Sequence, residues 1–182
     1  TTSGGGVEGP ADITLTHARR ATESHVTNRP EKRLAMNTSG PFKNILVATD
    51  FGNASRRAAE LGCELAKQFG ARLTLLHVWT VPIPAYAEAI SIRLDEIEKE
   101  AVKAMEEEVD RLRDKCPTPI RTSLVVGLAW RTIVDAIEEH KCDLVIVGTH
   151  GRHGVERFFL GSVAEKVVRA SPVPVLTVRA PT

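Results

Sequence analysis

From residue 43 onward the chain alternates short apolar runs with longer stripes of period near 3.6. Ile45-Leu46-Val47-Ala48 is a continuous apolar run of strand length, the pattern of a strand buried on both faces. Asn53 then stands as the N-cap of a helix whose Ala54, Ala58, Leu61, Leu65, Ala66 and Phe69 share one stripe, and Gly70 closes it as a C-cap. Leu73 to Trp79 reads as a second buried strand, followed by a loop broken by Pro82 and Pro84. Ile90, Leu94, Ile97, Ala101, Met105, Val109 and Leu112 keep a three-to-four spacing along the longest helix, which Pro117 and Pro119 forbid from continuing. Ser123 to Val126 makes a third strand, and Trp130, Ile133, Val134 and Ile137 stripe a short third helix. Asp143 to Val147 is the fourth strand, Ser162 to about Ala170 the fourth helix, and Pro174 to Val178 the fifth strand.

Five apolar strands separated by four helices predict an α/β domain with a single doubly wound five-stranded parallel sheet and helices on both faces, because right-handed crossovers cover each side. Ligands of such sheets sit outside the carboxyl ends of the strands, where the winding reverses. The loops at that edge are Thr49 to Gly52, Trp79-Thr80, Gly127 to Trp130, and the stretch from Gly148 to Ser162. Residues 1–42 carry Gly4-Gly5-Gly6, scattered prolines and no sustained period, and are read as a flexible extension before a domain over residues 43–179.

Composition narrows the function classes. At 182 residues with a net charge of +1, the chain has no long-range field to steer it towards nucleic acid or an anionic membrane, so neither is expected as a partner. No apolar run approaches the roughly 20 residues of a bilayer span, and the opening TTSGGGVEGPAD lacks the order of a secretory signal, so a cytoplasmic location is expected. Cys63, Cys116 and Cys142 are odd in number and form no C-x-x-C pair, which predicts reduced thiols, two of them packing as small apolar groups.

The chemistry concentrates in GTHGRHGVERFFLGS, residues 148 to 162. Unpaired backbone N–H groups in a glycine-rich turn form a nest for anionic oxygen, and the helix that follows adds partial positive charge. Gly148, Gly151 and Gly154 allow close backbone approach, Gly161-Ser162 opens the fourth helix, and His150, Arg152, His153 and Arg157 supply donors or charge. Ser162-Val163-Ala164-Glu165 is also a capping box, which explains those residues but not the glycines and cations upstream. A phosphate site is the favoured reading. Asp50, at a strand end, fits either a ligand role or a turn in which it bonds local N–H groups. His77, inside a strand, reads as a packed, hydrogen-bonded histidine, and Trp130 as core rather than pocket wall.

The pattern Gly148, Gly151, Gly161, Ser162, with two and then nine residues between the glycines, resembles that of the universal stress protein family, specifically its ATP-binding branch. The similarity extends to Ala48-Thr49-Asp50, His77-Val78 and the closing Ser171 to Val178, covering about residues 42 to 179. The resemblance implies a Rossmann-like, adenine nucleotide α-hydrolase-like fold. It further implies that Ala48, Thr49 and Asp50 lie against adenosine, that Val78 offers backbone to adenine, and that Val147 and Gly148 contact ribose. His150, Gly151, Gly161, Ser162 and Val163 would hold the phosphates of ATP, ADP or AMP, with Mg or Mn bridging phosphate oxygens. The family resemblance also implies a homodimer joined through the edge-lying fifth strand, at Val173, Val175 and Val178.

Rapid phosphoryl transfer needs a lysine on the phosphates, a metal-holding carboxylate and a group that orients the nucleophile. The loop lacks the lysine, and the chain has no Walker-type loop, nucleophile elbow or H-E-x-x-H helix. The expectation is a nucleotide-binding regulator in stress response with at most slow hydrolysis. A genuine ATPase and a nucleotide-free dimeric interaction module remain open alternatives.

Overall fold

The structure, a computed structural model, describes residues 13–16, 40–80, 88–116, 119–149 and 160–180. Its elements run β1 (Ile13–Thr16), β2 (Asn44–Thr49), α1 (Asn53–Phe69), β3 (Arg72–Trp79), α2 (Glu88–Leu112), β4 (Ile120–Val126), α3 (Ala129–Glu139), β5 (Leu144–Gly148), α4 (Ser162–Ala170) and β6 (Val175–Val178). The strands form one parallel sheet in the order β1-β4-β3-β2-β5-β6. From β2 the chain winds outward through β3 to β4, then returns to the other side of β2 for β5 and β6, so the winding reverses between β2 and β5.

Every central strand is apolar on both faces because each face carries a helical layer. Ile45, Val47, Leu73, Leu75, Leu144 and Ile146 pack with α1 and α2, while Leu46, Leu76, Val145 and Val147 pack with α3 and α4. The α1 stripe is made of small residues, Ala58, Ala59, Gly62, Cys63 and Ala66, all buried, and this lets the helix lie close on the sheet. A Cβ on Gly62 would stand 2.7 Å from Val47 Cγ2. Along α2 the buried Ala101, Met105, Val109 and Leu112 recur every three to four residues, as the sequence period requires. On the outer side of this layer Arg111 joins the helices: its guanidinium donates to Glu108 Oε1 at 2.7 Å and to Glu60 Oε1 at 2.6 Å.

The five expected strands and four helices are all present. The differences lie at their ends and at one sheet edge. Asn53 is the first residue of α1, and Gly52 occupies the N-cap position without a side-chain cap bond. Likewise Gly161, not Ser162, caps α4, and no side chain closes a capping box there. Gly70 does end α1 in the left-handed conformation, at φ 64°, where a glycine carries no Cβ penalty. The sheet has a sixth strand. Ile13-Thr14-Leu15-Thr16 alternates apolar and β-branched polar residues for only four positions, too few to stand out as a period, and it forms by pairing in parallel with Thr122 to Val125 of β4. Among the described residues no helix is long and apolar enough to cross a membrane.

Candidate functional site

A cleft of about 180 Å³ opens at the carboxyl ends of β2, β3 and β5, across the reversal of winding. Its floor is apolar: Ala48, Leu76, Val78, Val147 and, from α3, Ile133. Its rim is polar and built from helix amino termini. Ser55 lies in the first turn of α1, Ala129 opens α3, and Ser162, Val163 and Ala164 form the first turn of α4. None of the three helices has a side-chain cap bond, and neither α1 nor α3 has an acidic residue in its first turn. First-turn N–H groups have no intrahelical acceptor, and the helix dipole places partial positive charge beside them. A cleft with an apolar floor and three such termini suits a flat apolar ring joined to anionic oxygens.

The turn from β2 into α1 is held by a compact set of hydrogen bonds. Phe51 N donates to Thr49 Oγ1 at 3.0 Å, Gly52 N to Asp50 Oδ1 at 3.0 Å, and Ser55 Oγ to Asp50 Oδ1 at 2.6 Å. Asp50 N in turn donates to Ser55 Oγ at 3.3 Å. These bonds hold Phe51 in the left-handed region, at φ 63°, which a bulky side chain rarely adopts. The Phe51 ring packs on His77 with centroids 4.4 Å apart, and His77 Nδ1 lies 2.7 Å from Thr49 O. A carbonyl only accepts, so Nδ1 carries the proton. His77 is thus the packed, hydrogen-bonded histidine its place in a strand predicted. Asp50 binds local N–H groups as a turn aspartate does, and it also lines the cleft.

Gly148 sets the distance between β5 and α1. A Cβ there would stand 2.9 Å from Ser55 N and 3.0 Å from Ala54 C, so the bare backbone is what lets the strand end meet the first turn of the helix. The start of α4 is tied back to the same strand by Gly161 N donating to Thr149 O at 2.7 Å. This engages the Gly161 amide and leaves Ser162, Val163 and Ala164 as the first-turn donors.

Of the residues singled out in the sequence, Ala48, Thr49, Asp50, Val78, Val147, Gly148, Gly161, Ser162 and Val163 all line this cleft. His150 and Gly151, with Arg152, His153, Gly154 and Arg157, lie outside the described residues. Ser55, Leu76, Ala129, Ile133, Thr149 and Ala164 line the cleft without having been singled out. Ser55 carried a signal, a hydroxyl in the first turn after a strand-end aspartate. Ile133 was hidden because it belongs to the apolar stripe of α3. Trp130, one residue past Ala129, packs against the α3–α4 side of the core, and the cleft takes Ala129 and Ile133, four apart on one helical face.

Residues 41–179 match the Universal stress protein family. The chain belongs to this family. A universal stress protein of Methanocaldococcus jannaschii is 34% identical over 146 residues, which cover 77% of this chain and 84% of that one. Among solved structures, the universal stress protein UspA from Lactobacillus plantarum aligns with a TM-score of 0.67 at 26% identity, covering 75% of this chain and 97% of that one. A universal stress protein solved in complex with cAMP aligns with a TM-score of 0.59 at 26% identity over 77% of this chain and 98% of that one. These alignments span nearly the whole of the solved universal stress proteins, and the family match begins at residue 41, so β1 lies ahead of the matched region.

Proposed function

We propose that the cleft binds an adenine nucleotide, ATP or its ADP or AMP counterparts, and that the protein acts in stress response as a nucleotide-dependent regulator with at most slow hydrolysis. The observation that carries this reading is the convergence of three uncapped helix amino termini on one cleft with an apolar floor. The cAMP held by a solved relative adds support, since that ligand pairs an adenine with an anionic phosphate. In this assignment the base lies on Val78 and Leu76, while Ala48, Thr49 and Asp50 take the adenosine side, and Val147 and Gly148 contact ribose. The amides of Ser162 and Val163 face the phosphates, joined by His150, Gly151 and the backbone around Gly161. A divalent ion, Mg or Mn, would bridge phosphate oxygens and bring charge compensation to the polyphosphate.

Calorimetry with ATP, ADP, AMP and cAMP on the purified chain tests the assignment, together with mass spectrometry of any ligand carried through native purification. At about 100 times Kd a bound nucleotide stabilises the fold by about 2.7 kcal/mol, so melting temperature must rise with ligand concentration. No heat and no rise with any adenylate would refute the assignment. Single-turnover hydrolysis separates a regulator from an enzyme: a rate that collapses in Asp50→Ala while affinity survives would identify an ATPase.

The reading includes a homodimer. β6 closes one end of the sheet with Val173, Val175 and Leu176 half-buried, and an uncovered edge strand offers unpaired N–H and C=O groups to a second copy. Val178 is buried in the domain's own core and supports this edge from within. Val175→Lys, which places a charge on that edge, converts the dimer to monomer on sizing; an unchanged dimer would rule this interface out.

A further inference from the structure

The carboxyl group that lines the cleft, that of Asp50, is held by a chain of two hydroxyls. Ser55 is 3% exposed and Thr49 5%, although both border the cleft. Thr49 Oγ1 accepts from Phe51 N at 3.0 Å and donates to Ser55 Oγ at 3.3 Å. Ser55 Oγ also accepts from Asp50 N at 3.3 Å. Its single proton then has two acceptors in reach, Asp50 Oδ1 at 2.6 Å and Gly52 O at 3.1 Å. The shorter contact lies in the range of a hydroxyl bound to a carboxylate, roughly 2.5–2.7 Å, so the proton goes to Asp50. Gly52 N adds a second donor to Oδ1 at 3.0 Å. Two donors on one oxygen fix the rotation of the carboxyl group. An aspartate turn accounts for the Gly52 bond but not for the bond from Ser55, which reaches across from the first turn of α1.

The pair sits beside the place given to the sugar. Ser55 N is the nearest atom to where a Cβ on Gly148 would stand, at 2.9 Å, and Gly148 is the backbone that the nucleotide reading gives to ribose. A carboxylate only accepts, with about four lone-pair positions, so what it takes from a neutral sugar is a hydroxyl proton.

We propose that Ser55 is a positioning residue for the ligand's sugar: by fixing the Asp50 carboxylate it makes the cleft select nucleotides whose ribose carries free hydroxyls. This rests on the nucleotide reading above and adds a substrate class to it, ribonucleotides over their dideoxy counterparts. Ser55 acts through Asp50 and not on the ligand. Facing a sugar without hydroxyls, the carboxylate keeps its desolvation cost and gains no donor. The discrimination is therefore that of a hydrogen bond to a charged group, about 10- to 100-fold in Kd.

The test is calorimetry with ATP and 2′,3′-dideoxy-ATP, which differ only in the two hydroxyls, on the full-length chain, Ser55→Ala, Asp50→Ala and the double variant. The parent is expected to bind ATP about 10-fold or more tighter than the dideoxy compound. Ser55→Ala should bring that ratio towards one by weakening ATP alone, with dideoxy-ATP held within about twofold of the parent. Adding Ser55→Ala to Asp50→Ala should then change ATP affinity by less than about twofold, because the two residues act as one unit. Ser55→Cys keeps the volume with a weaker donor and should fall between the parent and Ser55→Ala, which provides the same comparison should the alanine variant fail to fold. Equal weakening of both compounds by Ser55→Ala would leave Ser55 a purely structural role and overturn the proposal, as would a parent that binds both alike. A parent that binds no adenylate overturns the nucleotide reading itself, and the proposal falls with it.

Discussion

Gly148→Ala isolates a single contact on which the cleft depends. The φ of Gly148 lies outside the left-handed region, so alanine meets no backbone strain, and the whole effect is steric. The added methyl would stand 2.9 Å from Ser55 N, 3.0 Å from Ala54 C and 3.0 Å from Ala54 Cβ. These are atoms of a helix turn, not the free end of a side chain, so relief requires moving the strand end or the start of α1. Overpacking of this kind costs about 1–3 kcal/mol. For a domain of this size that corresponds to a fall in melting temperature of roughly 3–10 °C. Because Ser55 and Asp50 ride on the displaced turn, adenylate affinity falls as well. Gly127→Ala is the matched comparison: its methyl meets the Thr132 hydroxyl, which moves by χ1 rotation, so the cost is smaller. Chemical denaturation and calorimetry on the two variants give the result. Stability of Gly148→Ala within about 0.5 kcal/mol of the parent, or above that of Gly127→Ala, would refute the packing account.

Three further perturbations follow from the same geometry. Ser55→Ala removes the 2.6 Å bond to Asp50 Oδ1, costing about 1–3 kcal/mol in urea unfolding, and weakens adenylate binding in calorimetry. Glu60 is held at about 2, below its ordinary 4.5, first by Lys115 and then by Arg111 and Arg57, against an opposing effect of burial. A depressed carboxyl pKa stabilises the fold above its unfolded value, so this contribution is complete above pH 4.5 and is lost as pH falls towards 2. The stability gap between the parent and Glu60→Gln, about 1 kcal/mol for a half-buried carboxylate whose cationic partners are partly exposed, closes over that window and shrinks with added salt. Leu15→Pro deletes a backbone donor within β1, and hydrogen exchange should then quicken at those amides between Thr122 and Val125 that face β1, while those that face β3, and the amides of β2 and β5, stay protected.

The fold class was legible because parallel strands buried on both faces must be continuous apolar runs, and helices lying on them must show a stripe. Ile45 to Ala48 and Leu144 to Val147 could hardly be read otherwise. Element ends were less secure. Asn53 has the right chemistry for an N-cap, yet the φ of Phe51 and the Asp50–Ser55 bonds place the N-cap one residue earlier, at Gly52, so that Asn53 is the first helical residue. β1 was illegible for a different reason: four alternating residues gain order only from the edge of β4, more than one hundred positions away in sequence.

The candidate site divides along the same line. Sequence alone determined which segments reach the carboxyl edge of the sheet, and the glycines and strand-end polar residues it singled out largely line one cleft, because in a parallel sheet the loop after every strand lies at that same edge. Only tertiary structure decided that α1, α3 and α4 bring their amino termini together there, that Ile133 serves both core and cleft, and that the Gly161 amide is engaged by Thr149. The reason is physical: periodicity records which face of an element is buried, whereas the partner across a gap depends on how whole layers pack.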